Sequence, residues 1–302
     1  MTEERPLSRV LNPFDPARAW LLGLLITVLL IGQFSDLGDF MGTVPGLAVA
    51  LFIAVRRRVS VRDTFRLRPF RPADLAFPVC LSLSLGSAET LVLEAIDFAT
   101  RGRFGQWAES ISPEIPGGTL VTMLLTVVFV PVVEELFFRG FFMSSFAELG
   151  MGWAVVFPSI FFATGHSPLI WPGAFAGGVA SSLFVLETGS IAPGIAFHAA
   201  MNLLGTGLGL VHEVLPGAYG EICCLAMRIG FASMALLFVP RYKRLWISFR
   251  MYWADFRGGP GVGHRLKYLL RHWTYKLILV LLAAIVGVWA FLMVTGQPLT
   301  AG

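Results

Sequence analysis

Long apolar runs recur from one end of this chain to the other, and nothing constrains its fold more. Nine can be drawn, at approximately 17–34, 41–55, 74–96, 117–146, 152–167, 171–187, 190–210, 222–239 and 277–296. A membrane-spanning helix needs about 20 mainly apolar residues, because the hydrocarbon core is ~30 Å thick and each residue rises ~1.5 Å. Only 14% of the 302 residues are charged, against about a quarter in a soluble domain. The expected fold class is therefore all-α, a polytopic transmembrane helical bundle of about eight to nine spanning helices. The second, fifth and sixth runs are short enough to be tilted, kinked or half-inserted. The first run lacks a small-residue cleavage site after it and reads as a retained helix rather than a secretion signal.

The basic residues orient the bundle. Arg5, Arg9 and Arg18 precede or open the first run, seven arginines lie between Arg56 and Arg71, and nine Arg or Lys lie in 240–276. Nine crossings place all three stretches on one face, which the positive-inside rule makes cytoplasmic, with the N-terminus there. Segment 240–276 interleaves its cations with Trp246, Phe249, Tyr252, Trp253 and Phe256, a pattern suited to the headgroup layer. Membrane lipid is its expected partner, and nucleic acid is not. Cys80, Cys223 and Cys224 all sit in apolar stretches, without disulfide or zinc-type spacing. The chain divides into N-terminal helices (1–116), a central core (117–210) and C-terminal helices that carry the basic amphipathic segment (211–302).

Ionisable and polar groups within such runs are costly, so each is a functional candidate. Glu134, Glu135 and Arg139 stand among aliphatic and aromatic residues in Val-Val-Glu-Glu-Leu-Phe-Phe-Arg-Gly. Glu135 and Arg139, four apart, share a helical face and can neutralise each other. Glu134, rotated about 100° from its neighbour, is left available as a general base. A purely structural ion cluster is the competing reading. Phe162 and His166 follow on the next run, where the histidine taken alone reads more readily as a hydrogen-bonded packing residue than as a catalyst. His198 and Asn202 are again four apart. They could hold a developing oxyanion or simply bond neighbouring helices. Measured from the cytoplasmic ends of their segments, Glu134, His166, His198 and Asn202 lie at roughly 18, 21, 12 and 18 Å depth, so they can meet at one level.

Glu-Glu-x-x-x-Arg, Phe-x-x-x-His and His-x-x-x-Asn on successive runs, with Gly-Ser-Ile-x-Pro before the last histidine, resemble the CPBP (CAAX-processing and bacteriocin-processing, Abi) family of intramembrane endopeptidases. The resemblance covers about 117–210. It implies an integral membrane protease in which Glu134 and His166 activate water and His198 and Asn202 form the oxyanion hole. Glu135 and Arg139, with Phe162, would hold the site in shape. The substrate would be a membrane-associated peptide or protein bearing a lipidated, leader or sorting tail, and the cavity would open toward the cytoplasm or inner leaflet. A bacterial inner membrane is the location such relatives suggest. No cofactor is favoured. Zinc held by Glu134, His166 and His198 is the alternative, although no His-Glu-x-x-His motif is present. Two non-proteolytic readings compete. One is a peptide-binding scaffold or immunity-type factor, which has no need of a paired Glu and His in lipid. The other is a transporter, which would show inverted repeats that this sequence lacks.

Overall fold

The structure, a computed structural model, describes residues 11–31, 43–102, 120–166, 170–215 and 217–295. Arg5, Arg9, Arg103 and the ends of several expected segments (32–34, 41–42, 117–119, 167 and 296) lie outside the described residues. The described residues hold helices and no strand. The helices are α1 (Asp15–Ile31), α2 (Thr43–Arg56), the single turn α3 (Val61–Thr64) and α4 (Ala73–Ala99). A composite helix, α5, then runs from 120 to 149. It is followed by α6 (Met151–Thr164), α7 (Trp171–Thr188), α8 (Ala192–Val214), α9 (Ala218–Met234), α10 (Val239–Arg257), α11 (Val262–Leu270) and α12 (Trp273–Thr295).

All nine apolar runs fall on these helices, but fewer than eight or nine have a spanning helix's length and apolarity. Among the described residues there are three, Ala73–Ala99, Ala192–Val214 and Ala218–Phe238, or four if Val262–Leu270 and Trp273–Val288, which meet at 102°, form one broken span. The shortfall has a simple cause. α2 and α6 have 14 residues each, which at ~1.5 Å per residue is about 21 Å, short of a ~30 Å core. α7 is long enough, but its glycines, serines and Glu187 dilute its hydropathy.

Small residues bring the helices together. A Cβ on Gly23 of α1 would fall 2.5 Å from the Gly46 Cα of α2, and Ala17, Ala19, Ala50 and Ala54 close the same seam. This is the close backbone approach that lets apolar helices associate without a hydrophobic driving force between them. The core proper is aromatic: Phe137, Phe141, Phe142 and Phe146 of α5 pack against Trp153 and Phe161 of α6. The loop after α3 threads into this core. Ser144 Oγ donates to the Thr64 carbonyl (2.9 Å), Ser190 Oγ to that of Arg68 (2.8 Å), and the Ile191 N–H to that of Arg66 (3.0 Å). These bonds fix the start of α8.

The basic segment expected as one surface stretch, 240–276, is two helices and a helix start. Gly258-Gly259-Pro260-Gly261 breaks it, with Gly259 (φ 63°) and Gly261 (φ 81°) in the left-handed region that glycine tolerates. α10 also packs on the bundle as well as presenting a charged face. Asp255 Oδ2 accepts the Gly152 N–H at 2.6 Å, and Trp153 Nε1 donates to the Phe256 carbonyl at 3.0 Å. Gly152 is the second residue of α6, so α10 supplies an N-cap from elsewhere in the chain. An acidic side chain there satisfies an orphan N–H and complements the helix dipole. The three cysteines are free.

Candidate active site

α5 is built around two widened turns, Leu125–Phe129 and Leu136–Phe142, both π-helical, with the α-helical Val130–Glu135 between them. Such turns are uncommon and often accompany functional sites. The first has a legible cause. Its i+5 register gives the Val130 N–H to the Leu125 carbonyl. The next carbonyl, Thr126, would take its proton from residue 131, which is proline and has none. Asn202 of α8 fills the vacancy: its Nδ2 donates to the Thr126 carbonyl at 2.8 Å. One Asn202 N–H is thus committed to the backbone, and the second remains.

Glu135 and Arg139 pair as their spacing predicts, at 2.9 Å, each 1% exposed. Both oxygens of the Glu135 carboxylate have further partners. Oε2 accepts from Ser181 Oγ of α7 at 2.5 Å, and Oε1 faces His198 Nδ1 at 3.2 Å. Gly194, where α8 crosses α7, leaves room for this cluster, since a Cβ there would meet Ser181 Oγ and Glu135 Oε2 within 3 Å. The Arg139 guanidinium lies over the Phe162 ring at 4.5 Å. Phe162 also touches both histidines, edge-on to His198 (5.3 Å) and tilted against His166 (4.7 Å).

Because a carboxylate only accepts, the bond to Glu135 puts a proton on His198 Nδ1 and turns Nε2 toward Glu134. The separation from Nε2 to Glu134 Oε2 is 3.7 Å, too long for a hydrogen bond. Glu134 Oε2 is buried and has no hydrogen-bond partner among the described residues, while Oε1 accepts from Thr43 Oγ1 of α2 at 3.4 Å. The two carboxylates therefore differ as their 100° offset implies: Glu135 is saturated and Glu134 is not. His166 Nδ1 lies 2.9 Å from the Phe162 carbonyl, which places its proton there and leaves Nε2 as an acceptor.

A cavity of about 130 Å³ lies between α4, α6, α7 and α8. His166, His198, Asn202, Glu135 and Phe162 line it, together with Glu89 of α4. Glu134 is not on this wall. Its side chain is 18% exposed and reaches the others through His198. Among the described residues no three His, Cys, Asp or Glu side chains are grouped as a metal ion requires. As placed, Glu134, His166 and His198 do not fit zinc.

Sequence reasoning did not assign Ser181, Thr43 or Thr126 to this site. The first two are hydroxyls in apolar helices, and the third acts through its backbone. Glu89, Glu94 and Arg228 are further charges within apolar helices. Glu94 and Arg228 pair with each other, whereas Glu89 lies on the cavity wall.

The family model described as type II CAAX prenyl endopeptidase Rce1-like matches residues 116–204, under a third of the chain. The match spans α5 to the first half of α8 and contains the three motifs. No curated protein and no solved structure matches the chain. The match and the apolar helices together suggest an integral membrane protein.

Proposed function

We propose, for a chain whose residues 116–204 belong to the Rce1-like group of the CPBP/Abi protease family, that it hydrolyses a peptide bond in a membrane-associated peptide. Glu134 is the general base and the reaction uses no metal. The observation that carries this reading is the buried, unpartnered Glu134 Oε2 facing His198 Nε2 across 3.7 Å. A buried polar atom without a partner is rare in a folded chain and calls for a ligand or a chemical role. An oxygen lying to one side of the pair can sit ~2.8 Å from both atoms.

In this mechanism the Glu134 carboxylate takes a proton from water as the water oxygen attacks the scissile carbonyl carbon. His166 Nε2 accepts the water's second hydrogen as a hydrogen bond and orients it. The carbonyl π pair moves onto oxygen, and the free N–H of Asn202 donates to that oxyanion. His198, as the imidazolium, donates to it from Nε2 while Nδ1–H stays on Glu135. Glu134 then passes its proton to the leaving nitrogen as the C–N bond breaks, which yields a carboxylic acid and an amine. Donors fixed in advance by Glu135 and the Thr126 carbonyl need no reorganisation when charge develops, and each such donor is worth on the order of 10²–10³ in rate. The substrates are peptides with lipidated, leader or sorting tails. The basic stretches favour an N-terminus and a cavity mouth on the cytoplasmic side, and the family resemblance favours a bacterial inner membrane.

The test is cleavage of a quenched peptide library by purified protein, wild type beside Glu134→Gln, with and without a strong chelator. Cleavage that is lost in the variant and untouched by chelator is expected. Full activity in Glu134→Gln removes the assigned base, and loss to chelator with recovery on zinc replaces this mechanism with a metal-dependent one.

A further inference from the structure

α4 brings to the cavity a carboxylate that this hydrolysis does not use. Glu89 is half-buried on the cavity wall with His166, His198 and Asn202. Its direction is fixed by its own helix. Gly86, one turn earlier on the same face, lies against α8 so closely that a Cβ would meet Met201 Sδ at 2.6 Å and Leu204 at 2.9 Å. Across the cavity, Gly173 of α7 is the seat for the carboxylate, since a Cβ on Gly173 would fall on the Glu89 oxygens.

Glu89 receives no hydrogen bond and no ion pair from any described residue. Among the described residues the two arginines inside this part of the bundle are both taken, Arg139 by Glu135 and Arg228 by Glu94. A carboxylate partly withdrawn from water is costly unless a cation or donor meets it, and within an apolar bundle such a group marks a site for one. The remaining charges of the cavity cannot supply it. The Glu135–Arg139 pair cancels, and the His198 imidazolium of the mechanism is answered by Glu134, so Glu89 is the charge left over. The cavity thus presents uncompensated negative charge beside the groups that would hold a scissile bond.

We propose that Glu89 determines substrate specificity by receiving the cationic side chain, lysine or arginine, of a residue close to the scissile bond. The inference rests on the peptidase reading of the same cavity and names the class of peptide it accepts. The basic residue docks on α4 while the scissile carbonyl lies toward Asn202 and His198 on α8. Gly173 keeps the carboxylate within reach of both.

The experiment uses the full-length protein in detergent and a quenched-peptide library in which every lysine-containing member has a twin with norleucine in place of lysine. For wild type the lysine peptides are expected to exceed their twins in kcat/KM by on the order of tenfold to a hundredfold, the range of one charge-assisted hydrogen bond. In Glu89→Gln the ratio is expected to fall to about one. A wild-type ratio near one, or a ratio that Glu89→Gln leaves unchanged, overturns the proposal and leaves the peptidase reading standing. The same peptides, dye-labelled, are titrated by fluorescence anisotropy into Glu134→Gln and into the Glu134→Gln, Glu89→Gln double variant. If no peptide is cut but the lysine twins bind more tightly only where Glu89 is present, the specificity site stands and the peptidase reading fails. Equal binding of the twins overturns both.

Discussion

The buried pair on α5 can be broken from either side, and the outcome should depend on whether the other charge is left behind. Arg139 and Glu135 are 2.9 Å apart and each 1% exposed. Replacing Arg139 with Met removes the cation but leaves Glu135 its bonds from Ser181 and His198. Stranding one member of a buried ion pair typically costs 3–5 kcal/mol, whereas replacing the whole pair by apolar residues of similar volume is often neutral. The two remaining donors offset part of the loss, so Arg139→Met should cost about 3 kcal/mol, the lower end of that range. Glu135→Leu should cost about 5 kcal/mol, because Arg139 keeps only the faces of Phe162 and Phe138 and already carries an unpartnered Nε. The double replacement should recover at least 2 kcal/mol relative to the sum of the two. The assay is reversible unfolding in mixed detergent micelles, read as a double-mutant cycle. If Arg139→Met alone stays within about 1 kcal/mol of wild type, the charges are not sealed from water, and the description of Glu135 as a saturated structural carboxylate is wrong.

Two further outcomes follow from the same geometry. Asn202→Leu should cost about 1–3 kcal/mol by orphaning the Thr126 carbonyl, and it should also abolish turnover. Adding Pro131→Ala, which returns an N–H to that carbonyl, should restore the stability measured by thermal melting but not the cleavage. Recovery of both would mean that Asn202 serves only the backbone. Outside the apolar helices, the Ser60 side chain and then Arg68 hold the Asp63 carboxyl below its usual value. A depressed carboxylate lends its support above the ordinary Asp range and loses it as pH falls through the folded value, so α3 should open below about pH 4. Amide hydrogen exchange over 61–64 should show this opening, and Asp63→Asn should remove its pH dependence.

The parts of this site that the sequence reveals are those written in charged or ring-bearing side chains at helical spacing. Glu135 and Arg139 four apart, and His198 and Asn202 four apart, each announce a shared face, and apolar runs announce helices. Thr126 could not be found that way, because its contribution is a carbonyl that every residue possesses. Its trace in the sequence is Pro131, whose missing N–H creates the vacancy. Ser181 and Thr43 are single hydroxyls among many in apolar helices, and only the fold shows which of them meets a carboxylate. The number of spans is not legible from hydropathy, which counts apolar residues without registering that α2 and α6 are short or that α11 and α12 meet at 102°. The break within 240–276 was legible in Gly258-Gly259-Pro260-Gly261 but was outweighed by the regularity of the charge pattern around it.

The cap that Asp255 places on α6 ties two regions whose compositions have little in common. α6 carries Phe162 in its last turn, with His166 two residues past its end, and its first turn is held by a helix more than eighty residues further along the chain. Pro158 interrupts the hydrogen-bond ladder of α6 between the capped turn and Phe162, so a displacement of α10 reaches the histidine through the side chains packed around that break and not along an unbroken rod. The cationic, aromatic stretch is thus part of the frame that sets the histidine's position. Trimming the chain after α9 would remove the anchor of the helix that leads into this histidine, although every residue of the three motifs would still be present.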